Sequence, residues 1–110
     1  MAWTLSQSGT TAALSVGTET DLGTADTNNA TFVLEFDASN LVNGDLLEVR
    51  IYTKTLSSGS LVQAWKGTYQ HAQTNNHKIS PPIASDQSFK ATLKQVAGTG
   101  RTFAWKYLRV

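Results

Sequence analysis

The side chains that could bind a metal ion or transfer a proton are few in this sequence of 110 residues. The chain has two histidines, His71 and His77, no cysteine, and only one carboxylate side chain, Asp86, after position 48. A protein zinc site needs three or four ligands drawn from His, Cys and carboxylate side chains. We therefore predict no metal site and no cofactor, and we interpret His71 as a strand-end residue and His77 as a loop residue.

Catalysis would need reactive side chains in a defined arrangement, and the sequence shows no signature of one. The four carboxylates between positions 35 and 48 are of the kind that glycosidases hold about 5–9 Å apart, but strand faces and turns account for them. Gly98–Arg101 contains two glycines but lacks the Gly-Lys-Ser/Thr of a phosphate-binding loop. The Gly-x-Ser-x-Gly nucleophile motif is missing too. We predict no catalytic residue and no enzymatic activity.

Basic and aromatic side chains suggest two binding functions as alternatives. Arg50 and Lys54 share one face of a predicted strand, and Lys90 and Lys94 share a face of another, as in proteins that bind single-stranded nucleic acid. The nearby aromatic residues fall on the apolar faces, and a sequence pI near 8.0 is low for such a module, so we do not expect nucleic-acid binding. Three tryptophans could stack on sugar rings, which keeps a carbohydrate-binding module as an alternative: Trp3, Trp65 and Trp105.

Charge is distributed unevenly along the chain. Residues 1–49 contain seven acidic residues and no Lys or Arg, whereas residues 50–110 contain nine basic residues and one acidic residue. The two halves therefore carry −7 and +8, although the net charge is only +1. The boundary lies inside one predicted strand, 46–55, so it is not a domain boundary and we predict a single domain over residues 1–110. The two halves must face each other within one fold or between copies of it.

Alternation of apolar and polar residues predicts strands that bury one face. In Ala30–Asp37, for example, Phe32, Leu34 and Phe36 share one face. The segments that we predict as strands are 4–8, 12–18, 30–37, 46–55, 61–71, 88–96 and 102–108. This spacing predicts an all-β protein, an antiparallel β-sandwich that is jelly-roll-like and has about eight strands.

The connections follow from turn residues. We predict hairpin loops at Ser57–Ser60 and Gly98–Gly100, and a turn at Gly9–Thr11 between the first two strands. Ala38–Val42 is predicted as one helical turn anchored by Leu41. No helix of three turns is expected.

Two longer segments are predicted to be irregular. Thr20–Asn29 is polar and rich in Asp and Asn. Ala72–Ser85 contains Pro81 and Pro82, which lack a backbone N–H and cannot lie in the middle of a sheet. We expect the second segment to form an edge, a crossover or an arm.

Three segments carry a resemblance to a known group of proteins: NGDLLE (43–48), SPP (80–82) and LKQVAGTGRTFAWK (93–106). They resemble small virion structural proteins of tailed bacteriophages, over a span from about Leu5 to the C-terminus. The resemblance implies a capsid cement or decoration protein, with a tail or head–tail component as the second choice. It also implies an oligomeric β-protein that binds the major capsid protein, and it offers no catalytic residues to transfer.

We therefore expect a homodimer or homotrimer located in the virion. The first residues contain neither a basic region nor an apolar run, so we expect synthesis in the host cytoplasm without secretion. No apolar run approaches the roughly 18 residues of a membrane helix, so no membrane partner is expected. Aromatic anchors and the Pro-Pro arm would supply much of the interface. The candidate interface residues are Trp3, Tyr52, His71, His77, Pro81, Pro82, Arg101 and Arg109.

Overall fold

A computed structural model describes residues 2–110, and within that range the chain forms nine strands and no helix. The strands are β1 (Thr4–Thr10), β2 (Glu19–Asp26), β3 (Ala30–Asp37), β4 (Leu46–Thr53), β5 (Val62–Gln70), β6 (His77–Ile79), β7 (Ile83–Ser85), β8 (Phe89–Ala97) and β9 (Ala104–Arg109). Residues 2–110 contain no helix that is long and apolar enough to cross a membrane.

The strands form two antiparallel sheets that pack face to face, which confirms the predicted β-sandwich. The first sheet has the order β1-β9-β3-β6, and β7 also pairs with β3. The second sheet has the order β2-β8-β4-β5. The strand count exceeds the predicted eight because Pro81 and Pro82 divide one edge into two strands of three residues, β6 and β7.

The order of pairing is that of a long hairpin rolled into two sheets. Going inward along the chain, β1 pairs with β9, β2 with β8, β3 with β7 and β6, and β4 with β5. The additional pairs β3–β9 and β4–β8 roll this hairpin into two sheets, which is the jelly-roll arrangement. Every pairing thus joins a strand from β1–β4 to a strand from β5–β9.

The core lies between the sheets and is built from the apolar faces that alternation predicts. Phe32 and Phe89 come from opposite sheets and stack with ring centroids 4.6 Å apart. The Tyr107 ring lies edge-on to Phe89, and its hydroxyl accepts a hydrogen bond from Ala91 N at 2.9 Å and donates to Leu22 O. Burying one such aromatic side chain stabilises the fold by about 1.5–3 kcal/mol. The hydroxyl is satisfied by backbone groups, so its burial does not leave a polar atom without a partner.

The N-terminal predictions were partly wrong. Residues 12–18 do not form a strand, and β2 instead covers most of Thr20–Asn29, which was predicted to be irregular. Asp and Asn have low strand propensity, but in β2 the inward side chains are Leu22, 0 % exposed, and Asp26, 5 % exposed. Hydrogen bonds to β8 and the cation that binds Asp26 therefore outweigh the low strand propensity of this segment.

The predicted connections met mixed outcomes. Ser57–Ser60 joins the paired strands β4 and β5, so that hairpin is confirmed. Gly98–Gly100 does not close a hairpin, because β8 and β9 belong to different sheets, and Gly9–Thr11 does not turn β1 back on itself. Ala38–Val42 is a turn rather than a helical segment, with Leu41 N donating to Ala38 O at 3.1 Å, although Leu41 is buried as expected.

Candidate interaction surface

The outer face of the first sheet carries a row of aliphatic side chains. The strand registers place Leu5 opposite Leu108 and Leu108 opposite Val33, so the three lie side by side across β1, β9 and β3. Ile79 of β6 lies on the same face, opposite Glu35. Leu5 is 55 % and Ile79 is 58 % exposed. We call these four residues, Leu5, Val33, Ile79 and Leu108, the apolar stripe.

The stripe is not part of the core. In β3, the side chains of Phe32, Leu34 and Phe36 point between the sheets, so Val33 points outward. Val33 is nevertheless only 6 % exposed, because the surrounding side chains cover it. The stripe therefore already has a packed centre with exposed leucine and isoleucine at its margins.

A polar group borders the stripe. Glu35 is 8 % exposed, and its Oε1 lies 2.6 Å from His77 Nε2 and 3.8 Å from Lys106 Nζ. A groove of about 200 Å³ runs beside these side chains and is also lined by Ser8 and Ala104. Glu35, His77 and Lys106 thus form a polar margin beside the stripe.

The outer face of the second sheet is different in kind, because charged side chains cover its centre. Arg50 lies between two carboxylates, with NH1 3.1 Å from Glu19 Oε1 and NH2 2.8 Å from Glu48 Oε2. Lys66 Nζ lies 3.6 Å from Glu48 Oε1. The cross-strand rows through this network contain no aliphatic residue; they are Glu19–Lys94–Glu48–Thr68 and Asp21–Thr92–Arg50–Lys66.

Hydroxyl groups complete the network around Glu19. Tyr52 OH donates to Glu19 Oε2 at 2.6 Å, and Thr92 Oγ1 donates to the same oxygen at 2.5 Å. Burial raises the pKa of Glu19, but these hydrogen bonds and Arg50 outweigh it, so the pKa lies below the ordinary value. The hydrogen bond to Glu19 raises the pKa of the Tyr52 hydroxyl. At the centre of the second face, Glu19, Glu48 and Arg50 thus have partners within the chain.

Asp45 ties two loops together at one end of the sandwich. Its side chain is 1 % exposed and accepts hydrogen bonds from Val42 N at 3.0 Å and Thr99 N at 3.3 Å. Arg101 Nε donates to the same carboxylate at 2.9 Å. Burial raises the pKa of Asp45, but Arg101 and the backbone donors together lower it below its usual value. One buried carboxylate, paired with a partly exposed arginine, therefore holds the two loops together at this end of the molecule.

Asp26 forms a second ion pair of this kind, and this one joins the two sheets. It lies in β2 of the second sheet, and it binds Arg109 NH1 of the first sheet at 2.7 Å. Ser6 of β1 donates a hydrogen bond to Asp26, and Asn28 donates through its backbone and side chain at 2.9 and 2.7 Å. Burial raises the pKa of Asp26, but these donors outweigh it and lower the pKa to about 2.

The eight predicted interface residues do not form one surface, and several bind carboxylates within the chain. Tyr52, His77, Arg101 and Arg109 bind Glu19, Glu35, Asp45 and Asp26, respectively. His71 has a positive φ of 65° and accepts a hydrogen bond from Gly44 N at 2.9 Å, so it lies near Arg101 at the Asp45 end. Trp3 is 44 % exposed just before β1, near Arg109, while Pro81 and Pro82 are exposed on the edge beside β3.

Sequence reasoning missed the apolar stripe, although the sequence contains a signal for it. Val33 shares its strand face with Glu35 and Asp37, and Leu108 shares its face with Lys106. An apolar residue at a polar position of an alternating strand is that signal. Its meaning depends on strand register, because only the pairing of Val33, Leu108 and Leu5 makes a surface of three separate residues.

The structure answers how the two charged halves meet. In the part of the chain that the structure describes, seven ion pairs occur between carboxylates and Lys or Arg, and each joins an acidic residue of 1–49 to a basic residue of 50–110. Most of the charges of the two halves therefore pair within one chain. No group of three or more His, Asp or Glu side chains in residues 2–110 is arranged to hold a metal ion.

Comparisons with known proteins find no significant similarity. No family model matches the chain, and searches of curated proteins and of solved structures find no significant match either.

Proposed function

We propose that the protein is a non-enzymatic structural protein of a phage particle that binds the major capsid protein shell through the apolar stripe. The observation that carries the proposal is the contrast between the two outer faces. Leu5 and Ile79 are more than half exposed on one face, whereas on the other face Arg50 and Lys66 are paired with carboxylates of the same chain. Contiguous exposed apolar patches that lie outside the core are surfaces at which proteins commonly contact one another, and this supports the proposal.

The internal ion pairs also weigh against nucleic-acid binding. Six of the nine basic residues lie within 4 Å of a carboxylate of the same chain, and they are Arg50, Lys66, Lys90, Arg101, Lys106 and Arg109. Nucleic-acid affinity comes mainly from cations that are available to phosphates. The structure gives carbohydrate binding less support than the sequence alone does. Trp65 and Trp105 pack against the core, and of the three tryptophans only Trp3 remains well exposed.

A decoration protein of this kind stabilises the particle because it binds only the assembled shell. The stripe would pack against a neighbouring capsid subunit, and Glu35 with His77 and Lys106 would form the polar margin that sets orientation. Burying one leucine of the stripe contributes about 1.5–3 kcal/mol to such binding.

The test uses particles of the phage that encodes the chain, with the gene deleted and supplied again as variants. Leu5→Lys and Ile79→Lys each place a charge in the stripe, and we expect at least about a tenfold loss of copies per purified particle by quantitative mass spectrometry. Leu56→Lys is the matched control, because Leu56 is a 65 % exposed leucine in the loop after β4, away from the stripe.

The outcomes separate the possible functions. Absence of the wild-type protein from purified particles would refute a virion role. Equal loss for Leu56→Lys would refute the stripe as the binding site. Density for the protein on the tail instead of the shell, in an electron cryomicroscopy map, would replace the capsid role with a tail or head–tail role.

A further inference from the structure

The edges of the two sheets differ in how open they are. An edge strand exposes unpaired N–H and C=O groups that can bind another strand, and proteins normally block such edges with bulges, prolines, short strands or charges. Each sheet of this sandwich has two edges, which are β1 and β6 with β7 in the first sheet, and β2 and β5 in the second.

The β2 edge is blocked by a side chain. Its pairing with β8 is interrupted between Leu22 and Asp26, where Gly23 has a φ of +67°. Gln7 reaches across from β1, accepts a hydrogen bond from Thr24 N at 3.0 Å and donates to Thr24 O at 2.8 Å. The amide of Gln7 thus takes the positions that a neighbouring strand would need.

The two edges of the first sheet are also unsuited to pairing. β6 and β7 have three residues each and are separated by Pro81 and Pro82. β1 has a bulge between Leu5 and Gln7 that breaks its register. Neither edge presents a long regular strand.

β5 is the open edge. It spans nine residues, Val62–Gln70, and pairs on one side with β4. After a bulge at Ala64 it is regular from Trp65 to Gln70, and its alternate residues are exposed. At its end, Gln73 Nε2 donates to Gln70 O at 2.8 Å, which marks the limit of the free backbone.

The charge that would normally guard this edge is bound by a carboxylate of the neighbouring strand. Lys66 is the one charged residue of β5, and a lysine on an edge strand repels an incoming copy of the same strand. Here Lys66 Nζ lies 3.6 Å from Glu48 Oε1 on the neighbouring strand. The ion pair holds the ammonium group on the β4 side of the strand, while the charge itself remains and disfavours any register that places two copies of Lys66 opposite each other.

We propose that β5 pairs antiparallel with β5 of a second copy, about a two-fold axis at Gly67, so that two four-stranded sheets join into one. This inference does not depend on the proposed function, because the apolar stripe belongs to the other sheet. It replaces the choice between dimer and trimer with a dimer and assigns the contact to one strand.

The register follows from the side chains. With the axis at Gly67, Lys66 lies opposite the partner's Thr68, and Trp65 lies opposite the partner's Tyr69. Aromatic pairs are among the favourable cross-strand neighbours, and like charges directly opposite each other are unfavourable. An axis at Lys66 would place the two lysines opposite each other. An axis at Thr68 would place Trp65 opposite the partner's His71, beyond the end of the strand.

Gly67 suits the position on the axis. The Trp65 ring lies against it, so closely that a Cβ on Gly67 would be 2.6 Å from Trp65 Cη2. Trp65, Gly67 and Tyr69 occupy the half-buried face of β5. The missing side chain lets the ring lie along the strand, and it leaves space at the axis between the two aromatic pairs.

Two substitutions at one exposed position test the contact. Within the chain, Thr68 lies opposite Glu48, so Thr68→Lys gains an attractive neighbour and Thr68→Glu a repulsive one. In the dimer the same residue faces the partner's Lys66, so the signs reverse. We expect Thr68→Lys to weaken dimerisation about fivefold to thirtyfold, through two symmetric like-charge pairs, and Thr68→Glu to strengthen it by a similar factor.

The measurements are sedimentation equilibrium for the dimer and urea unfolding of dilute monomer for the fold. Opposite signs in the two assays support the proposal, because misfolding cannot produce a weaker dimer from a more stable monomer. A wild-type protein that stays monomeric up to millimolar concentration would overturn it. So would a dimer that responds equally to both substitutions.

Cysteine cross-linking tests the register, and the chain has no natural cysteine to interfere. We expect an oxidised mixture of Lys66→Cys and Thr68→Cys to form a disulfide-linked dimer, and each variant alone to form far less. Preferential linkage of Lys66→Cys to itself would contradict the axis at Gly67. Leu5→Lys should leave this dimer intact, so failure of the dimer proposal can be distinguished from failure of the shell-binding proposal.

Discussion

The two outer faces of the sandwich differ in the side chains that they present to the solvent. On the second sheet, Arg50 is held between Glu19 and Glu48 at 3.1 and 2.8 Å, so these three charged groups have partners within the chain. On the first sheet, Leu5 and Ile79 are 55 % and 58 % exposed beside a covered Val33. One face is thus held by ion pairs within the chain, while the other carries exposed aliphatic groups outside the core, and the shell-binding proposal rests on this difference.

The largest expected effect is on the ion pair that joins the sheets. Arg109→Met removes the cation from Asp26, a carboxylate that is 5 % exposed. We expect the free energy of unfolding to fall by about 1.5–3 kcal/mol, because a hydrogen bond to a charged group is lost. Urea denaturation measures this change. A loss below about 0.5 kcal/mol would show that the paired charges contribute little to the fold.

The same carboxylate should make the free energy of unfolding depend on pH in the acid range. Burial raises the pKa of Asp26, but its hydrogen-bond donors outweigh burial and lower the pKa from 3.8 to about 2. Because the folded-state pKa lies below the unfolded value, its stabilisation is complete above pH 4 and is lost as pH falls towards 2. We expect about 2 kcal/mol from this group. Unfolding measured across this pH range should show a smaller slope for Asp26→Asn, and an unchanged slope would contradict the assignment.

A smaller loss is expected on the second face. Arg50→Met leaves Glu19 and Glu48 without the arginine between them, and we expect about 1–2 kcal/mol of destabilisation in urea. Lys94→Met is the matched control on the same face, because Lys94 has no carboxylate within 4 Å among the described residues. The control should change stability by less than about 0.5 kcal/mol. Equal losses of stability for the two variants would mean that the ion pairs add nothing to the packing of the aliphatic part of the side chain.

The smallest effect is expected on the first face. Leu5→Ser and Ile79→Ser remove exposed aliphatic groups that contact the solvent, so we expect thermal and urea unfolding within about 0.5 kcal/mol of the wild type. A loss above about 1.5 kcal/mol for either variant would place the stripe in the folding core and would end the contrast between the faces.

Alternation within single strands predicted the core well. In β3, β4 and β8 the residues on the predicted apolar faces, such as Phe32, Val49 and Leu93, are fully buried. These strands cross the centre of the sandwich, where one face meets the opposite sheet and period two is a direct consequence of burial. Local pattern is therefore sufficient wherever one element alone determines which side is buried.

Features that depend on distant partners were not predictable from local pattern. β2 forms although its segment is rich in Asp, because β8 supplies hydrogen bonds and Arg109 supplies a cation. The apolar stripe exists only through the registers of β1, β9 and β3. The eight predicted interface residues were chosen by residue type, and Tyr52, Arg101 and Arg109 turn out to bind carboxylates of their own chain.

The rolled-hairpin pairing order has a consequence for synthesis. Each of β1 to β4 finds its hydrogen-bonding partner among β5 to β9, so the first half of the chain leaves the ribosome with no sheet to join. Residues 1–49 contain no Lys or Arg, and six of their seven acidic residues find their cationic partners in the second half as well. Sheet pairing and ion pairing therefore both wait for the second half of the chain, and among the described strands only β4 and β5 pair as neighbours in the sequence.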